Sequence, residues 1–406
     1  MANSKPACFA TAISFPLAVG LLAAALAARA DAVADWNATA IAVTATPPNS
    51  ILQSRVLAIV QGAMFDAAIA VERRYPPMGA DVIAGPEASQ QAAIAAAAHG
   101  ILSRLAPGQQ VALDAALAAT LAKVPPGAPR TNGINAGTEV AEKWIALRAR
   151  DGADAKGTYT PAAGAGKWQP TPPANLPAIL PGWGAVKPFV LKSAHQFDLK
   201  GPPAPASEAF ARDLAEVRDL GARESSTRTA DQTAAAIFWT IQTPVVWNAA
   251  ARAASAARSL GSLESARVLA LVNFACADSQ IAGFEMKYRV SHWRPVTAIR
   301  QGGDAGWEPL LATPPHPEYP SAHMLCSGAA EAVLKGYFGA DRVNVSVMYP
   351  PGAGITRSYG SFSQIAQEVE GARVWGGIHY RSADVDGRDL GRRIGEYVLE
   401  KFPPAR

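Results

Sequence analysis

The stretch Ile51 to Arg73, ILQSRVLAIVQGAMFDAAIAVER, repeats apolar residues at intervals of three and four with no internal proline, which predicts an amphipathic-to-buried helix of about six turns. The same texture recurs over 87–105, 108–123 and 134–150, with breaks at Pro76-Pro77, Pro107-Gly108 and Pro125-Pro126-Gly127. Helical periodicity resumes at 206–219, 226–258 and 263–289, then at 322–337, 361–376 and 384–400. Pro244 should kink or split the second of these, because proline removes a hydrogen bond and crowds the preceding turn. Strand-like runs are few, with Val343 to Met348 the best of them. The expected fold class is therefore all-α, a large helical bundle.

Between the two helical regions, about 151–205, the chain turns rich in Pro, Gly and Trp and loses its periodicity. A connector of this length is expected to pack on the core's surface. The organisation expected is thus an N-terminal helical region (31–205, including the connector) and a C-terminal catalytic region (206–406), packed together as one unit.

Residues 1–30 read differently. Lys5 precedes an apolar run from about Phe9 to Ala27, and Ala28-Arg29-Ala30 fits a signal-peptidase site, so the expected mature chain begins near Asp31 and is periplasmic or secreted. No later segment reads as long and apolar enough to span a bilayer. Removing Lys5 and Arg29 from the 37 basic residues leaves 35 against 33 acidic ones. Without a basic stripe, that balance does not point to nucleic acid. Only Cys276 and Cys326 remain after the signal, as a pair or as two buried thiols.

Three clusters in the last third carry the chemistry. Lys287 and Arg294 stand seven residues apart, about two helical turns, so both side chains are expected on one face near the end of the 263–289 helix, with Pro295 closing the segment. Pro320-Ser321-Ala322-His323 leads into a helix, where a hydroxyl and unsatisfied N–H groups meet the positive end of the helix dipole. Arg373 and His379 flank Gly376-Gly377, which permit a helix break or a close backbone approach. Taken together, three cations, a hydroxyl, a backbone N–H and two imidazoles suit a tetrahedral oxyanion with several acceptor oxygens. GAGK at 164–167 is followed by Trp168 and is not preceded by a strand, which excludes a P-loop. H-E-x-x-H and C-x-x-C are absent. Structural or exposed roles are expected for His99 and His195, and His292 is placed to point away from the first cluster.

In order and spacing, Lys287-x6-Arg294-Pro295, Pro320-Ser321-Ala322-His323 and Arg373-x5-His379 resemble the signature of the vanadium-dependent haloperoxidase and type 2 phosphatidic acid phosphatase superfamily. ADSQIAGFEMKYRVSHWRPVTAIR (277–300) and TPPHPEYPSAH (313–323) are similar to its bacterial vanadium haloperoxidase-like branch, as are DWNATA and FDAAIAV near the N-terminus. The resemblance implies that Lys287, Arg294 and Arg373 surround the oxygens of vanadate, or of phosphate in the same place, with Ser321 and the amide of Ala322 as further donors. It implies that His379 binds vanadium through a ring nitrogen, that His323 is the acid-base residue, and that Lys287 polarises peroxide. The implied partners are hydrogen peroxide and halide, and a homo-oligomer is compatible with the sequence.

Three positions depart from the family pattern. Ala322 replaces the usual glycine, retaining the N–H but adding a methyl. The acid common four residues after the metal-binding histidine is Ala383 here, with Asp384 one residue further, so Ser382 or a group from elsewhere would orient His379. Phe284 stands three before Lys287 where several active members carry Trp, and His316 occupies a position that is aromatic in some members; both are candidate tuning residues, His316 equally a plain turn residue. Three functions remain open on the residues. One is a vanadate-dependent haloperoxidase, another an exported acid phosphatase using His379 as a phospho-histidine nucleophile, and the third an inactive oxyanion-binding helical protein.

Overall fold

The computed structural model describes residues 31–46, 49–350 and 354–405, so the signal segment read in residues 1–30 lies outside the described residues. Within them the protein is built from helices α1 (Ala32–Val43), α2 (Ser50–Val71), α3 (Gln90–Leu105), α4 (Gln110–Ala122) and α5 (Ala128–Arg148), followed by the irregular connector. Then come α6 (Glu208–Gly221), α7 (Ala230–Phe238), α8 (Thr243–Ala257), α9 (Ser262–Val290), α10 (Pro295–Gln301) and α11 (Ala322–Phe338). A two-stranded antiparallel hairpin, β1 (Arg342–Tyr349) and β2 (Ile355–Ser361), precedes α12 (Phe362–Trp375) and α13 (Arg381–Lys401).

Local chemistry sets most of these boundaries. Asn49, Ser89, Ser207 and Ser361 cap α2, α3, α6 and α12 through their side chains, and Thr229 with Gln232 forms a capping box on α7. Pro244 splits the 226–258 segment as expected, standing in the first turn of α8, where its missing N–H is not needed. Pro295 does the opposite of what its sequence position suggested: it starts α10 rather than closing a segment.

Helix α2 corrects the expectation on membrane spans. It is long and apolar enough to cross a bilayer by length and composition, yet 83% of its most apolar window is buried inside the protein. Its neighbours explain the composition, because Leu57, Val60, Met64 and Phe65 belong to one continuous core that runs from Val33 on α1 to Phe402. Within that core α11 lies against α13 at very close range. A Cβ at Gly328, Gly391 or Gly395 would fall 2.2 to 2.4 Å from a carbonyl oxygen of the facing helix.

The connector straps α9. Asp278 on α9, fully buried, accepts the backbone N–H groups of Phe189, Val190 and Leu191 at 2.6 to 2.8 Å, and Arg148 donates to Lys187 O at 2.6 Å. Further along, Trp168 N–H donates to Ser291 O, and Trp293 N–H to Gly166 O. This pins the turn that follows α9. Cys276 and Cys326 are free, buried thiols, the Cys276 thiol donating to Cys326 O at 3.4 Å.

Candidate oxyanion site

Four segments converge on one buried place: the end of α9, the start of α10, the loop 313–321 leading into α11, and the turn between α12 and α13. Lys287 and Arg294 do not share a helical face, contrary to the sequence expectation. Helix α9 ends at Val290, Ser291 adopts a left-handed conformation (φ 58°), and Arg294 is the N-cap of α10. The reversal still delivers both side chains, each fully buried, to the same loop.

Lys287 Nζ donates to Pro317 O (3.1 Å), Glu318 O (2.8 Å) and Pro320 O, so its three protons are all directed at backbone carbonyls of the loop. Burial, aided by the Arg294 charge, pushes this ammonium well below the usual lysine range. Arg294 donates to His316 O (3.0 Å) and Ile378 O (2.7 Å), and its Nη atoms stand 3.2 Å from His379 Nε2 and 3.1 Å from His316 Nδ1. Arg373 donates to Trp239 O at 2.7 Å, and its Nε has no partner among the described residues. Burial lowers both guanidinium groups to about 10.

His379 hangs on the α12–α13 turn. Gly377, at φ 75°, ends the approach from α12 in a conformation L side chains avoid, and a Cβ there would fall 2.3 Å from Gly221 O. The ring is oriented by Glu318, which sequence reasoning missed. Glu318 Oε1 accepts from His379 Nδ1 at 2.7 Å and from Tyr380 N at 3.1 Å, and Glu318 is fully buried. With Nδ1–H engaged by a carboxylate, Nε2 keeps its lone pair on the cage side. Ser382, the orienting residue first considered, instead donates its backbone N–H to Asp213 at 3.2 Å. Burial pushes the Glu318 carboxyl up to about 7 against the pull of Arg294 and Lys287. His379, His323 and His316 are all held well below 6.5, chiefly by burial and then by the neighbouring cations, so each is neutral at neutral pH.

Ser321 stands as the N-cap of α11 without making the side-chain cap bond that a plain structural serine would make. Its hydroxyl is buried and has no partner among the described residues, and the same holds for His323 Nε2. Ala322 is the first residue of α11 and is not among the positive-φ residues, so the methyl strains no backbone; it packs in a cluster with Phe284, Ile281 and Trp183. The amide that a glycine would present is retained. His316 and Phe284 are paired at 5.2 Å between ring centroids, which puts both tuning candidates against Arg294's side of the cage. Asp384 is fully buried, with Ser321 and Arg373 facing its carboxyl. The remaining histidines lie outside. His292 packs edge-on to Phe210 and Tyr380, His99 pairs with Asp114 at 2.7 Å, and His195 is an exposed group 3.4 Å from Glu285.

Unpartnered buried atoms on Ser321, His323 and Arg373, together with the buried Lys287 and Arg294 side chains, fit a ligand with several acceptor oxygens and negative charge. The fold and this set of buried donors are what a helical oxyanion-binding protein would need.

Comparison with known proteins narrows that class. Residues 267–403 match the family described as the VCPO second helical-bundle domain, which spans every residue named above from Lys287 to Asp384. The chain is similar to the crystal structure of the first bacterial vanadium-dependent iodoperoxidase, at a TM-score of 0.81 and 29% identity, covering 91% of this chain and 95% of that one. A holo-type bacterial vanadium-dependent chloroperoxidase shares the fold at a TM-score of 0.73 and 18% identity, covering 87% of this chain and 92% of that one. The vanadium chloroperoxidase of Curvularia inaequalis is 33% identical over 88 residues, which is 18% of this chain and 14% of that protein's length. Residues 267–403 thus match a domain family of vanadium chloroperoxidases, and the chain is similar in fold to bacterial vanadium haloperoxidases.

Proposed function

We propose that this protein is a vanadate-dependent haloperoxidase, oxidising halide with hydrogen peroxide to hypohalous acid. The observation that carries the proposal is the His379–Glu318 pair: a neutral imidazole, locked by a buried carboxylate, with Nε2 turned into a cage of three cations. Vanadate, when bound, supplies a Lewis acid that activates peroxide toward halide without changing its own oxidation state. His379 would be its protein ligand; Arg294, Arg373, Ser321 and the first N–H groups of α11 would hold its oxygens. Lys287 contributes its charge to the cage and braces the 317–320 carbonyls, and a donor becomes available to the ligand when one of those bonds is released. His323, partly exposed and held neutral by burial and the nearby cations, would take a proton from peroxide and return it. The signal read in residues 1–30 supports export, so this chemistry would proceed in the periplasm or outside the cell.

Phosphate is a near isostere of vanadate, so the deciding experiment sets the two chemistries against each other. Purified protein is assayed for phosphate-ester hydrolysis and for vanadate-dependent iodide oxidation. Hydrolysis that vanadate inhibits, without halide oxidation, would replace this proposal with the phospho-histidine reading.

A further inference from the structure

Asp384 is the one fully buried carboxyl group of the site that the chemistry above does not use. It lies in the first turn of α13, where the Ser321 hydroxyl faces its carboxyl without meeting hydrogen-bond geometry and no other described residue partners either oxygen. An ionised carboxylate left in that state is among the costliest groups to bury, and the cost is relieved by keeping the proton. The groups that face it come from every neighbouring element: Ser321 before α11, Arg373 on α12, Arg381 on α13 itself, Glu318 from the loop and Lys287 on α9. Burial, with Glu318 adding to it, holds the Asp384 carboxyl well above the ordinary range despite Arg373 and Ser321. Ser321 Oγ and Arg373 Nε are unpartnered as well. Orphaned donors and acceptors from three elements thus collect around Asp384.

We propose that Asp384 is a further oxyanion-binding residue of this protein, donating its carboxylic O–H to the anion on the side of the cage bounded by Ser321 and Arg373. The proposal rests on the oxyanion-cage reading. A bound anion favours this state, since negative charge nearby disfavours ionisation of the acid. A carboxylic acid kept neutral to serve as a hydrogen-bond donor is an established device in enzyme sites. It also gives a role to the acid that stands at Asp384 while Ala383 occupies the usual position.

The test is calorimetric binding of inorganic phosphate and of orthovanadate to the full chain, as wild type, Asp384→Asn and Asp384→Ala. The carboxamide keeps a donor, so Asp384→Asn should bind within about threefold of wild type, while Asp384→Ala should weaken both anions by roughly 10- to 100-fold, the loss of one charge-assisted hydrogen bond. As the pH rises above neutrality the ratio of wild-type to Asp384→Asn affinity should fall, because only the wild-type acid can ionise against the anion. A merely structural role would not move that ratio. Thermal melting checks folding, and if the alanine variant does not fold, the pH dependence of the wild-type to Asn ratio decides alone. Tenfold tighter binding by Asp384→Asn would show an ionised counter-charge and overturn the proposal; so would equal affinities for all three proteins with a flat ratio. Failure of the wild type to bind either anion would instead bring down the cage reading beneath it.

Discussion

Replacing Glu318 by glutamine separates the cost of burying a charge from its use. Burial raises this carboxyl from 4.5 to about 7, so holding it ionised above that pH costs about 3 kcal/mol relative to the unfolded chain. The sign follows from linkage: its contribution to stability is fully present below pH 4.5 and is lost as the pH rises through about 7. Glu318→Gln removes that loss, so at about pH 8 its unfolding free energy should equal or exceed that of wild type, even with weaker bonds to His379 and Tyr380. Vanadate affinity should move the other way. A neutral amide holds Nδ1–H about half as strongly as a carboxylate, and removing such an outer partner of a metal ligand typically costs 10- to 100-fold in affinity. Urea unfolding at two pH values, paired with vanadium-51 NMR titration, reads both quantities. Glu318→Gln binding vanadate as tightly as wild type, or losing stability at pH 8 by more than about 2 kcal/mol, would refute the reasoning.

Other substitutions probe different parts of the account. His292 is held down to about 3, mainly by burial, so the unfolded chain takes up its proton first and stability is lost as the pH falls below 6.5; His292→Phe should remove about 3 kcal/mol of the decline between pH 6.5 and about 4.5, measured by urea unfolding. Gly377→Ala forces a Cβ against Gly221 O at φ 75° and should cost roughly 1–3 kcal/mol by thermal melting while weakening vanadate binding, since the same turn carries His379. Ala322→Gly should leave vanadate affinity within about threefold and lower stability by no more than about 1 kcal/mol, because the amide is retained and the methyl packs in the cluster with Phe284, Ile281 and Trp183.

The helical skeleton was legible because its signals are local. Spacing of three and four, capping residues and proline breaks mark α2, α3, α8 and α9 within a few residues of their observed ends. Where two local readings compete, the wrong one was favoured: Pro295 can end one helix or begin the next, and only the left-handed turn at Ser291 decides. Helix α5 begins six residues ahead of the periodic stretch, led in by Pro129, and β2 (ITRSYGS) is too polar to announce itself without its partner strand. The three clusters were readable from spacing, but the pairs between them were not. Glu318 and His379 are 61 residues apart and meet only through the fold, although an acid inside TPPHPEYPSAH was the available signal. Asp384, one residue beyond the usual acid position, does not orient His379; its burial beside Ser321 comes from the packing of α13 against the Ser321 loop, where Ser321 N–H donates to Ala383 O at 3.0 Å.

Reconstitution of purified protein with orthovanadate, followed by halogenation of a dye with hydrogen peroxide and bromide or iodide, tests the central claim most directly. The account predicts one vanadate bound per chain, dye halogenation that depends on it, and loss of both binding and turnover in His379→Ala. Vanadate bound equally by His379→Ala, or a fully loaded wild type that halogenates nothing, would contradict it.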